Sequence, residues 1–235
     1  MKILLAVSAI FVGLTGMSMA ADHVIKVGVI FGFTGPIESL TPDMAKSAEL
    51  AFSEASKSGL LLGGKKVVAV RADSTCIDSA AATANAERLI TSERVAAIVG
   101  ADCSGVTGAI ANNVAVVNGV VMVSPSATSP GLSLLKDKGY FFRTAPSDAR
   151  QGEVLANVLM SRGIKEVAVT YTNNDYGKGL ADVFEASFTS GGGTVTAVAS
   201  HEDGKADYSA EVGVLGSAGG DALVVIGYLD QGGKG

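Results

Sequence analysis

The sequence predicts an α/β protein of two doubly wound parallel-sheet lobes with a ligand cleft between them, the second lobe incomplete. Three observations predict it. Short β-branched runs alternate with longer amphipathic segments along nearly the whole chain. The short runs are almost continuously apolar, as strands are when helices cover both faces of a parallel sheet. The alternation pauses once, at "YFFRTAPSDARQG" (140–152), and then starts again.

The elements follow in order. Residues 1–20 read as a secretory signal peptide: Lys2 precedes an apolar stretch too short to span a bilayer, and Ser18 and Ala20 supply the small residues of a cleavage site before Ala21. No cysteine follows that site, so no lipid anchor is expected. "VIKVGVIF" (24–31) is the first strand, and 43–59 a helix with Met44, Ala48, Ala51, Phe52 and Ala55 on one face. A strand at 66–72 leads to a helix over 78–92 with Asp78 as its N-cap. Strands at 95–100 and 119–124 flank a helix at 104–118. The first lobe therefore covers 21–145. The second, 146–235, holds helices at 148–162, 178–190 and 207–217 and strands at 166–171, 194–200 and 221–228. It stops in "LDQGGKG", where a loop should lead into another helix, so the lobe reads as truncated.

Charge and motif content exclude several functions. The 18 basic against 23 acidic residues, scattered along the chain, argue against a nucleic-acid partner. "GLLLGGKK" (59–66) comes close to a phosphate-binding loop, but Lys66 replaces the magnesium-holding hydroxyl. It also follows a helix and precedes a strand, the reverse of the order that points a helix N-terminus at phosphate. Only two histidines exist, His23 and His201, so Cys103 or Ser104 as a nucleophile would lack a nearby oriented base. His and Cys never fall at metal-ligand spacing. No catalysis, metal or cofactor is expected. In an exported chain the two cysteines, Cys76 and Cys103, favour a disulfide; the alternative is two buried thiols.

What remains are small polar residues at the carboxyl ends of strands, the edge where open α/β sheets bind ligands. Ser104 follows the strand at 95–100 and opens a helix, a setting that favours an anion such as a carboxylate. "SPSATSP" (124–130) follows the next strand, its prolines stiffening a loop whose Ser126 and Thr128 hydroxyls can accept from an ammonium or donate to a carboxylate. In the second lobe Tyr176 follows one strand and Tyr228 closes another. Asp102 and Asp230 could contact a polar or cationic ligand, but at loop tips both are expected to be solvated.

These residues carry a resemblance. Through "IKVGVIFGFTGP" (25–36), "DSTCIDSAAATANAERLI" (73–90), "IVGADCSGVTGAIA" (98–111), "VMVSPSATSPGL" (121–132), "FFRTAPSDARQG" (141–152) and "YTNNDYGKGLA" (171–181), the chain resembles the periplasmic substrate-binding proteins of branched-chain amino-acid ABC transporters. The resemblance implies two lobes that close over a small ligand and deliver it to an inner-membrane permease. It places Ser104 and Thr128 on the ligand carboxylate, and the Ser126 carbonyl and Thr128 hydroxyl on its ammonium. Ala127 would line the site, with Tyr176 and Tyr228 closing from the second lobe, and the family's cysteine pair matches Cys76 and Cys103. Leu40 stands near a position where leucine-type members carry an aromatic, and the acid that clamps the ammonium would lie beyond residue 235. The expected function is periplasmic capture of an amino acid-like solute; the competing reading is the ligand-sensing part of a receptor.

Overall fold

The computed structural model describes residues 24–229; the leader at 1–20, His23 and Asp230 lie outside the described residues. Two parallel sheets form. The first contains β1 (Val24–Phe31), β2 (Lys66–Asp73), β3 (Ala97–Gly100), β4 (Val121–Ser124) and β5 (Phe141–Arg143) in the order β2-β1-β3-β4-β5. The second contains β6 (Glu166–Thr172), β7 (Thr194–His201) and β8 (Ala222–Ile226) in the order β7-β6-β8. In each sheet the winding direction reverses at one strand, β1 in the first and β6 in the second. Loops leaving the carboxyl ends on either side of such a reversal diverge and open a crevice.

Helices cover the sheets. α1 (Thr41–Ser58) carries Pro42 in its first turn, where no amide hydrogen bond is lost, and ends at Gly59 with a φ of 69°. Its Ala45 packs with Val29 and Phe31 of β1, joined by Met44, Ala48 and Phe52. Ala51, expected on that seam, is exposed. α2 (Ser79–Thr91) is capped by Asp78, whose Oδ1 accepts from the amides of Ala80 and Ala81 at 2.9 and 3.0 Å. On the opposite face of the sheet, Ala82, Ala86 and Leu89 of α2 pack with Ile98, Met122 and with Val106 and Ile110 of α3 (Ser104–Ile110). The expected single helix over 104–118 instead widens into a π-helical turn at Ala111–Ala115.

Around the second sheet, α4 (Asp148–Ser161) and α5 (Asp175–Ser190) approach so closely that a Cβ on Gly152 would lie 2.7 Å from Val183 Cγ1 and 2.8 Å from the Phe184 amide nitrogen. Ala156, Leu180, Phe184 and Phe188 fill the core against Val167, Val169, Val224 and Ile226. α6 (Ser209–Ala218) covers β7 and β6. The segment 59–66 is a turn between α1 and β2, with a single 3₁₀ turn at Leu61–Gly63. β5 was not anticipated, because three residues are too few to show a period.

Candidate functional site

The site is built where the loops after β1, β2 and β3 meet. Asp102, just past β3, is the bracket. Its Oδ2 accepts from the Gly32 amide at 2.6 Å, and its Oδ1 accepts from the Ser74 hydroxyl at 3.0 Å and the Cys103 amide at 2.9 Å. Each donor comes from a different strand end, so one carboxylate holds three loops. The expectation that Asp102 is solvated fails: it is buried. Burial pushes its carboxyl pKa up, and the amides of Gly32 and Cys103 with the Ser74 hydroxyl pull the other way. The Cys76–Cys103 disulfide adds a covalent tie between the β2 loop and the start of α3.

Ser104, next to that tie, is the first residue of α3 and is buried. Its Oγ accepts from the backbone amides of Thr128 and Ser129 at 3.2 and 3.1 Å. A hydroxyl has two lone pairs and one proton. Both lone pairs are taken, so Ser104 has only a proton left to give. Ser126, half-buried, donates its own hydroxyl to the Asp102 carbonyl at 3.0 Å. Ala127 is fully enclosed, its amide donating to Ser124 Oγ at 3.0 Å. Arg143, at the end of β5, pins this loop by donating to the carbonyls of Ala127 (3.3 Å) and Ser129 (2.8 Å).

The second sheet supplies the facing wall. The Asn174 side chain accepts from the amides of Tyr176 (3.0 Å) and Gly177 (3.1 Å), so α5 starts three residues earlier than its apolar periodicity suggests. Tyr176 therefore stands in the first turn of a helix and not in a loop. Gly177 allows that turn to seat on β6, since a Cβ there would fall 2.1 Å from the Thr172 carbonyl oxygen. Tyr228 lies two residues beyond β8 and stacks on Tyr176, with centroids 5.2 Å apart and planes 24° apart. It also packs against the core of the first sheet, bridging the two halves. Burial raises the pKa of both phenols, aided by the Asp148 charge at Tyr176 and the Asp203 charge at Tyr228, so both rings are neutral hydroxyl carriers.

These side chains converge on a cavity of about 260 Å³. Ser104, Ser126 and Thr128 line it with Asp102 and Cys103, Tyr176 and Tyr228 line it from the second sheet, and Ile37, Leu40 and Met44 add aliphatic surface; Gln151 of α4 also reaches it. Of the six ligand-binding residues expected from the sequence, five line this cavity and Ala127 stays outside the lining. A wider groove of about 730 Å³ between α3, α5 and the turn after β4 contains none of them. Sequence reasoning missed Ile37 and Gln151, which carry no distinguishing pattern, and read Met44 as a packing residue of the α1 face without a part in the site. It also missed Asp148. This first residue of α4 is buried, its amide donates to the Thr128 carbonyl at 2.9 Å, and its Oδ2 has no hydrogen-bond partner. Burial raises its carboxyl pKa, opposed by the neighbouring Thr128 hydroxyl and the Arg143 charge.

His201 is not paired with Cys103, which is in the disulfide, or with Ser104, which is bonded to the Thr128 and Ser129 amides. It is buried at the end of β7, with Nδ1 2.8 Å from the Thr170 hydroxyl. Among the described residues no group of three His, Cys, Asp or Glu side chains is arranged to hold a metal ion, and no helix is long and apolar enough to cross a membrane.

Comparison with known proteins agrees with this architecture. The family model for periplasmic binding proteins matches residues 24–233. The chain is 35% identical over 234 residues to Leu/Ile/Val-binding protein homolog 3 of Brucella melitensis, covering 99% of this chain and 62% of that protein. Among solved structures it is similar to the leucine-binding protein LivK of Thermotoga maritima, with a TM-score of 0.77, 30% identity and coverage of 86% and 55% of the two chains. It is also similar to the branched-chain amino-acid transporter substrate-binding protein LivJ of Streptococcus pneumoniae, in complex with isoleucine, with a TM-score of 0.74, 31% identity and coverage of 86% and 56%. The chain thus spans less than two thirds of the length of these relatives. With a family match running from the first described strand past the last, and with its polar cavity at the reversal point of the first sheet, the chain belongs to the periplasmic binding protein family.

Proposed function

We propose that the protein is the solute-binding component of an ABC importer, exported by its leader to the periplasm, where it captures an aliphatic amino acid and presents it to a membrane permease. Residues 21–145 and 146–235 act as two lobes that close over the solute about the connection near 144–148, and no bond of the solute is made or broken. The observation that carries this reading is the Ser104 hydroxyl, whose hydrogen-bond partners leave it only a proton to donate, in a cavity also lined by aliphatic side chains. A hydroxyl donor and the aliphatic Ile37, Leu40 and Met44 lining one cavity suit a carboxylate with a hydrocarbon tail. At roughly 30 Å³ per water molecule, the 260 Å³ cavity has room on the order of a leucine-sized solute. The names of the relatives, Leu/Ile/Val-binding and leucine-binding, point the same way.

Titration calorimetry with leucine, isoleucine and valine tests it. Saturable binding is expected, and Thr128→Ala should weaken it by about 1–3 kcal/mol, the cost of leaving a charged group short of one hydrogen bond. Absence of heat with all three amino acids would reject the reading.

A further inference from the structure

α5 carries glycine at two positions in its first two turns, and only one of them is explained within its own half of the molecule. At Gly177 a Cβ would fall 2.1 Å from the Thr172 carbonyl oxygen, so that glycine seats α5 on β6. At Gly179 the obstacles are Pro130 Cδ and Ser129 Oγ, each 3.0 Å from a Cβ built there. Both belong to the turn after β4, in the first half. A glycine inside a helix weakens it relative to alanine, so Gly179 lowers the stability of α5 while permitting a close contact with the other half.

Neither side of that contact has room to retreat. The Ser129 amide donates to Ser104 Oγ at 3.1 Å, its carbonyl accepts from Arg143 Nη1 at 2.8 Å, and the residue is buried. The Ser129 hydroxyl can rotate aside, but the Pro130 ring, which opens a 3₁₀ turn at Pro130–Leu134, cannot. On the other side, Leu180, Ala181 and Phe184 hold α5 in the core of the second half. Extra atoms at position 179 are therefore accommodated by moving the halves apart. Gly179, Ser129 and Pro130 lie on the wider groove and do not line the solute cavity. Tyr176, three residues earlier on the same helix, does line it.

We propose that Gly179 sets solute affinity without touching the solute: its missing side chain lets α5 close down on the Ser129–Pro130 turn, and that seating carries Tyr176 to the cavity. Gly179 is thus a positioning residue, and the inference rests on the two-lobe reading above. A larger residue at 179 leaves each half folded but disfavours the closed arrangement, and apparent affinity falls with the fraction of molecules able to close. Stability and affinity then move in opposite directions, because the same substitution improves the helix.

Gly179→Ala and Gly179→Gln are compared with the wild type by leucine titration calorimetry, by thermal melting without solute, and by small-angle X-ray scattering with and without leucine. Melting temperatures should be unchanged or higher. Leucine affinity should fall about 3- to 10-fold in Gly179→Ala, whose methyl group needs only a small displacement, and more than about 30-fold in Gly179→Gln. Leucine should contract the wild type and fail to contract Gly179→Gln. A melting temperature that falls together with affinity marks a structural role and overturns the proposal. So does leucine affinity in Gly179→Gln within about 2-fold of the wild type, or its full contraction on leucine. If the wild type binds neither leucine, isoleucine nor valine, the amino-acid reading fails, and scattering without solute decides the seating alone. A wild type no more compact than Gly179→Gln then overturns it.

Discussion

Ser104→Ala separates a hydroxyl that builds the site from one that merely borders it. The Ser104 oxygen is the shared acceptor for the Thr128 and Ser129 amides, at 3.2 and 3.1 Å, in a setting closed to solvent on all sides but the cavity. Deleting it strands two donors at once, and a buried unsatisfied amide costs roughly 1–3 kcal/mol. Water entering through the cavity can satisfy part of that loss, which places the expected destabilisation near 2–4 kcal/mol. For a chain of this size the melting temperature should fall by roughly 5–15 °C. Ser126→Ala is the matched comparison. Its hydroxyl makes one bond of 3.0 Å to the Asp102 carbonyl and is half-buried, so about 1 kcal/mol is expected. Differential scanning calorimetry of both variants in the absence of added solute reads the difference directly. If Ser104→Ala costs no more than Ser126→Ala, the Ser104 hydroxyl does not hold the loop after β4, and its assignment as a donor-only group is wrong.

Two further outcomes are expected. Reduction of the Cys76–Cys103 bridge, which closes a separation of 27 residues, should lower stability by roughly 3–4 kcal/mol in the chain-entropy picture, read as a shift in the urea midpoint with and without reductant; an unshifted midpoint after verified reduction refutes it. His201 should titrate below the ordinary histidine value, since burial lowers its pKa more than the charges of Asp203 and Glu211 raise it. Above a pH of about 6.5 both folded and unfolded forms carry it neutral. As the pH falls below that value the unfolded chain takes the proton first, so this histidine's contribution to stability is lost on acidification towards the folded pKa. An imidazole resonance of His201 moving with a midpoint at or above 6.5 contradicts the account.

Much of the fold was legible because each element carries its own signal. β1 spans the residues its apolar run marks, and Asp78 caps α2 as its position ahead of the alanine-rich run suggests. Legibility failed where the determining contact is long-range. β5 is three residues whose only evidence is pairing with β4, and the solvated reading of Asp102 failed because its three donors come from residues 32, 74 and 103. A loop-tip acid and a loop-joining acid look the same in one dimension. The start of α5 was misplaced because Asn174, not the first apolar residue, sets it.

The same distinction explains why the site residues could be named before their chemistry could. Strand carboxyl ends are local features, so Ser104, Ser126, Thr128, Tyr176 and Tyr228 could be picked out, and they meet at one cavity. What a hydroxyl does there depends on which of its three hydrogen-bonding capacities the protein has already used. Ser104 is fixed as a donor by amides 24 and 25 residues away, and the Thr128 carbonyl takes the amide of a buried acid, Asp148, 20 positions on. A serine and a threonine that look interchangeable in sequence are thus distinguished only by contacts made in three dimensions.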